Sequence, residues 1–143
     1  MKVIVVFGST TGNTEHMAEV IGQKISVDST EITVKNVTEA TAEELLNYDL
    51  IVLGSSTWGV GELQDDFIDF NEELASVDLK GYSAAVFGCG DSDGWPDSFC
   101  EAVDIIETTL KNSGAEIVNT SIKVDGDVYD ADDELELWAQ KMI

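Results

Sequence analysis

Arginine is absent from the 143 residues, and seven lysines face 29 aspartates and glutamates, for a formal net charge of -22. A chain so poor in cations cannot build the basic surface on which counterion release depends. Nucleic acid and anionic membrane surfaces are therefore excluded as partners, and a basic protein is the natural complement. Histidine occurs once, at position 16, so no Ser/His/Asp set or Cys-His pair is expected, and His16 reads as an exposed side chain without a partner. The two cysteines, Cys89 and Cys100, match no metal or redox spacing and read as reduced thiols. No apolar run approaches the ~20 residues of a membrane span, so membrane insertion is not expected. The opening residues look like a strand and lack the length and cleavage site of a signal peptide, which makes the cytoplasm the expected location. What is present is globular: an apolar share of 43%, 12 glycines and one proline. One domain over residues 1–143 is expected.

Short apolar runs alternate with helical spacing, the mark of strands joined by crossover helices around a parallel sheet. Five strands are expected, over residues 2–7, 31–35, 50–54, 84–88 and 116–118, rich in Val, Ile and Leu as strands covered on both faces should be. Between them, Met17, Ile21 and Ile25 share one helical stripe, as do Leu63, Phe67, Phe70 and Leu74, then Phe99, Val103, Ile106 and Leu110, and then Leu135, Trp138 and Met142. Residues 42–46 supply a shorter helical piece. Right-handed crossovers make the simplest topology an α/β doubly wound parallel sheet in order 2-1-3-4-5. Ligands of such sheets sit beyond the carboxyl ends of the strands where the winding reverses. Attention therefore falls on three loops, over residues 8–14, 55–62 and 89–97.

The first, Gly8-Ser9-Thr10-Thr11-Gly12-Asn13-Thr14, sets four hydroxyls and an amide around two glycines at a strand-to-helix turn. Outward N–H groups at a helix start, its dipole and these side chains would surround a phosphate without a cation. Capping alone asks for only one such residue. A Walker loop needs Gly-Lys-Ser/Thr and a dinucleotide fingerprint needs Gly-x-Gly-x-x-Gly, and neither is here. The second loop, Ser55-Ser56-Thr57-Trp58-Gly59-Val60-Gly61, puts an indole among small residues, where a flat ligand could stack. The third, Cys89-Gly90-Asp91-Ser92-Asp93-Gly94-Trp95-Pro96-Asp97, adds a second indole and glycines that allow close backbone approach. For any single tryptophan, packing is the commoner explanation, and Trp138 is assigned to it. Trp58 and Trp95 differ in following strands within glycine-bounded loops.

Taken together, these segments resemble the flavodoxins, small acidic FMN-carrying electron-transfer proteins, from Lys2 to Met142. The motifs that carry the likeness are 8–14, Gly54-Ser55-Ser56-Thr57-Trp58-Gly59, Glu62-Leu63-Gln64-Asp65-Asp66-Phe67 and Phe87-Gly88-Cys89-Gly90-Asp91-Ser92. The resemblance implies that Ser9, Thr10, Thr11, Asn13, Thr14 and Ser56 bind the FMN phosphate. It implies that Trp58 covers one flavin face, an aromatic of the third loop the other, and that Asp91 and nearby backbone meet the pyrimidine edge. The full cofactor-binding set adds Gly12, Ser55, Thr57, Gly59, Val60, Cys89, Gly90, Trp95, Phe99 and Cys100. An uninterrupted last strand over 116–118 resembles the short-chain branch. Two departures touch the flavin: Val60 where relatives often have a polar or small residue, and Trp95 where a tyrosine is frequent.

The function implied is a low-potential one-electron carrier with non-covalently bound FMN, a monomer without substrate chemistry of its own. It would serve basic redox proteins: reductases, c-type cytochromes and oxidoreductases. An FMN-dependent reductase of a quinone or small oxidant is the alternative on the same fold, although two tryptophan platforms would leave little flavin open to a substrate. A phosphorelay receiver domain would need clustered acids where this chain has Phe7-Gly8 and Leu53-Gly54.

Overall fold

The computed structural model describes residues 1–8, 12–25, 30–58, 62–63, 65–90, 100–125 and 127–142. Its strands are β1 (Lys2–Gly8), β2 (Glu31–Asn36), β3 (Leu50–Trp58), β4 (Glu62–Leu63), β5 (Ser83–Gly90), β6 (Glu116–Ile117) and β7 (Ile122–Asp125). Its helices are α1 (Asn13–Ile25), α2 (Asp65–Leu74), α3 (Glu101–Asn112) and α4 (Asp132–Gln140), with 3-10 turns at Val37–Glu39, Glu43–Asn47 and Val128–Ala131. The main sheet runs β2-β1-β3-β5-β6, with β7 also on β5, and these neighbours are parallel. With β6 and β7 counted as one broken edge strand, this is the expected 2-1-3-4-5 order.

The two-residue period of a strand sorts the apolar runs onto two cores. Ile4, Val6, Ile51, Leu53, Ala84 and Val86 face one side, where Phe67, Phe70 and Leu74 of α2 and Val103, Ile106 and Leu110 of α3 cover them. Val3, Val5, Phe7, Val52, Ala85, Phe87 and Cys89 face the other, under Met17, Ala18, Ile21 and Ile25 of α1 and Leu135, Trp138 and Ala139 of α4. Close approach of α3 to the sheet is possible because Gly88 has no side chain. A Cβ there would lie 2.6 Å from the Ser55 carbonyl oxygen and run into Val103.

Three expectations need correction. Residues 55–58 belong to β3 rather than to a loop, because the β5 ladder continues alongside Ser55 and Ser56 through Ser55↔Gly88 and Ser56↔Cys89. Strand β3 then pairs with β4 antiparallel, Thr57 opposite Leu63 and Trp58 opposite Glu62, so Leu63 ends a hairpin and does not lead α2. Cys89 and Gly90 are likewise strand, paired to Val124 and Asp125.

Beyond the expected residues 116–118 the edge strand resumes, after a short break, as β7. From Ile117 to Ile122 the chain takes five steps while β5 takes three from Ala84 to Phe87, so two residues are extra. They are held off the ladder by side chains: Asn119 Nδ2 donates to the Trp138 carbonyl at 3.0 Å and Ser121 Oγ to Glu107 Oε1 at 2.9 Å. Among the described residues no helix is long and apolar enough to cross a membrane.

Candidate crevice at the carboxyl edge of the sheet

The strand register brings the three expected segments to one level. Gly8 lies opposite Ser55, Ser55 opposite Gly88, and Ser56 opposite Cys89, so the ends of β1, β3 and β5 share one edge. Helix α1 begins just beyond it. Gly12 precedes the helix with φ +91, a left-handed backbone that a side chain would strain, and a Cβ there would meet nothing within 4 Å. Its carbonyl accepts from His16 N–H at 3.0 Å, which starts the helical ladder.

Thr14 heads the buried stripe of α1, with Met17, Ala18, Ile21 and Ile25 behind it, and is itself fully buried. A hydroxyl in that position needs a partner. Its Oγ1 lies 3.7 Å from Cys89 Sγ on β5. Ser55 is also fully buried, its hydroxyl donating to the Ser56 carbonyl at 2.9 Å, while Ser56 is half-buried. Asn13 is half-buried at the first position of α1.

Ser9, Thr10, Thr11, Gly59, Val60, Asp91, Trp95 and Phe99 lie outside the described residues. So do the ring of Trp58 and the side chain of Thr57, although both residues close β3. Cys100 caps α3 from a left-handed backbone, φ 51, and its buried thiol donates to the Val124 carbonyl at 3.9 Å. Burial, with Cys89 nearby, pushes that thiol up to about 12. Burial also raises Cys89, partly offset by its contact with Thr14. Both cysteines are free thiols at neutral pH, as the spacing suggests.

His16 departs from its expected exposed state. The ring is half-buried, with Nε2 2.7 Å from Asp132 Oδ1 at the start of α4, and it lies 4.2 Å from the ring of Tyr129. These contacts arise where α1 packs against α4 and the 3-10 turn Val128–Ala131, and no local signal in the sequence announces a partner at position 132. A cleft between Glu43 and Glu73, lined also by Thr41, Ser76 and Val77, lies elsewhere and contains none of the expected site residues.

The donor set at the carboxyl edge consists of buried hydroxyls, an amide side chain and the start of a helix, with no lysine in residues 8–14, 55–62 or 89–100. Such a set suits a phosphate monoester, whose oxygens accept hydrogen bonds and whose charge favours the positive end of the helix dipole. Among the described residues no three His, Cys, Asp or Glu side chains gather as a metal site.

Residues 5–138 match the family model described as flavodoxin. The flavodoxin of Maridesulfovibrio salexigens is 46% identical over 129 residues, covering 88% of this chain and 87% of the relative. That of Nitratidesulfovibrio vulgaris is 42% identical over 145 residues, covering 99% and 97%. Among solved structures, oxidised flavodoxin 1 from Bacillus cereus superposes with a TM-score of 0.92 at 38% identity, covering 99% of this chain and 96% of that one.

Proposed function

Since the chain belongs to the flavodoxin family, whose members carry electrons with FMN and are not enzymes, we propose that its crevice holds FMN for low-potential one-electron exchange with basic redox proteins. Flavodoxins are themselves the type case of this strand order, with the cofactor at the reversal of winding between the first and third strands. FMN supplies the one-electron chemistry. The protein's part is to bind, orient and shield it.

In this reading Ser9, Thr10, Thr11, Asn13, Thr14 and Ser56, with the first N–H groups of α1 and the left-handed turn at Gly12, hold the phosphate. Trp58 and Trp95 cover the two ring faces and limit access of water and small oxidants. Asp91 and the backbone from Cys89 to Gly90 meet the pyrimidine edge, and the Gly59-Val60 peptide offers a carbonyl to a ring N–H. The whole chain acts as one FMN-binding domain in the cytoplasm. The observation that carries this reading is the strand register, which brings the ends of β1, β3 and β5 together beside the start of α1. Partners would be reductases, c-type cytochromes and oxidoreductases with basic faces, attracted by the acidic surface.

The test is a visible absorbance spectrum of purified protein before and after titration of the apoprotein with FMN. One FMN per chain, with slow oxidation of reduced nicotinamide under air, is expected. Flavin bands that never depart from those of free FMN, with no saturation, would overturn the cofactor assignment, and rapid nicotinamide turnover would overturn the carrier role.

A further inference from the structure

We infer that Cys89 is a positioning residue for the cofactor phosphate: from the end of β5 its thiol orients the Thr14 hydroxyl so that the threonine hydrogen faces the anion. The inference rests on the assignment of Thr14 to the phosphate cradle. Its structural basis is a contact of 3.7 Å between Thr14 Oγ1 and Cys89 Sγ, across 75 residues of sequence. Both residues are buried, Thr14 at 0% and Cys89 at 5% exposure, so bulk water does not compete for either group.

The direction of the bond follows from the inventory of hydrogens. A hydroxyl has one hydrogen and two lone pairs, a thiol has one weakly donated hydrogen, and a phosphate oxygen only accepts. If Thr14 spent its hydrogen on the sulfur, its lone pairs would be what remained for an anion, and they would repel it. With the thiol donating to Oγ1, the threonine hydrogen is released for the phosphate, and the chain S–H to O–H to anion runs in one sense, each bond polarising the next. Burial favours the protonated thiol that this arrangement requires. The fold also explains why the link crosses elements. Cys89 sits opposite Ser56 in the ladder, so the same strand end that meets β3 braces the first turn of α1.

Apoprotein is titrated with FMN and with riboflavin, in the parent and in Cys89→Ala, Cys89→Ser, Thr14→Val and the double variant Thr14→Val/Cys89→Ala. Inorganic phosphate serves as a competitor of FMN, and urea unfolding of each apoprotein reports the fold. Cys89→Ala is expected to weaken FMN about three- to tenfold, and inorganic phosphate in parallel, with riboflavin changed less than about twofold. Cys89→Ser, which keeps a donor, is expected to recover most of the loss. In the Thr14→Val background, Cys89→Ala is expected to change FMN affinity no further, because the hydroxyl it orients is gone.

Equal losses for FMN and riboflavin, a serine variant as weak as alanine, or additive losses in the double variant would each overturn the positioning role. If Thr14→Val discriminates the two ligands while Cys89→Ala does not, this inference fails and the phosphate cradle stands. If Thr14→Val itself leaves the discrimination intact, the cradle assignment fails and the inference with it.

Discussion

Trp138 Nε1 donates to the carbonyl oxygen of Thr120 at 2.6 Å, joining α4 to the break between β6 and β7. The indole is almost fully buried and meets Phe87 edge-on at 6.4 Å. It therefore fills core space with its ring while its polar edge satisfies a carbonyl that the interrupted ladder leaves over.

Trp138→Phe separates these roles. The ring contact survives and the Thr120 carbonyl loses its donor, at a cost of about 1–3 kcal/mol. Trp138→Ala should cost about 3–5 kcal/mol because a cavity is added. Urea unfolding of the two variants checks the difference. Equal losses would mean that the hydrogen bond contributes nothing beyond packing.

Gly88→Ala tests how tightly α3 lies on β5. The added methyl meets Val103, which can yield, and the Ser55 carbonyl oxygen at 2.6 Å, which is held in the sheet. A loss of about 1–3 kcal/mol is expected, and adding Val103→Ala should recover only part of it. Full recovery in the double variant would assign the strain to the side chain alone.

Alkaline pH should expose the buried thiols. Cys100 titrates near 12 in the folded chain against an ordinary value of 9.0, and Cys89 is shifted in the same direction. Below about pH 9 folded and unfolded chains hold the same thiol protons. Between that value and the folded one the unfolded chain has released protons that the folded chain retains. The thiol contribution to stability is thus complete below pH ~9 and declines as pH rises, by about 1.4 kcal/mol per pH unit for a fully shifted thiol. Unfolding midpoints from pH 8 to 11 should fall less steeply in Cys100→Ala than in the parent. Parallel slopes would show that Cys100 ionises equally in both states.

Salt should slow the encounter with basic partners. The charge of -22 leaves carboxylates in large excess over lysines, and Asp65, Asp66, Asp91, Asp93 and Asp97 are the candidates that the sequence offers for steering. Stopped-flow association with a basic c-type cytochrome should lose roughly tenfold or more in rate from low to high ionic strength. Neutralising the five together should flatten that dependence. A parent rate indifferent to salt would remove the steering role.

The sequence announces the interior of this fold more clearly than its edges. Val3 to Phe7 and the stripe Met17, Ile21, Ile25 are legible because their burial follows from period alone. The strand ends are not, since Ser55, Ser56, Cys89 and Gly90 are extended through ladders with partners tens of residues away. Asn119 and Ser121 lie beyond the last expected strand, and their side-chain bonds at the break between β6 and β7 have no counterpart in the apolar pattern. Of the proposed phosphate cradle, the hydroxyl-rich run is visible in the sequence. The contact of Thr14 with Cys89 needed the register of three strands.

The contact between His16 and Asp132 has a bearing on the order in which a ribosome delivers this fold. The two residues are 116 positions apart, so the first turns of α1 leave the exit tunnel long before the helix that braces them has been translated. Throughout that interval one flank of α1 is bare. A chain stalled upstream of α4 would therefore present α1 without that brace.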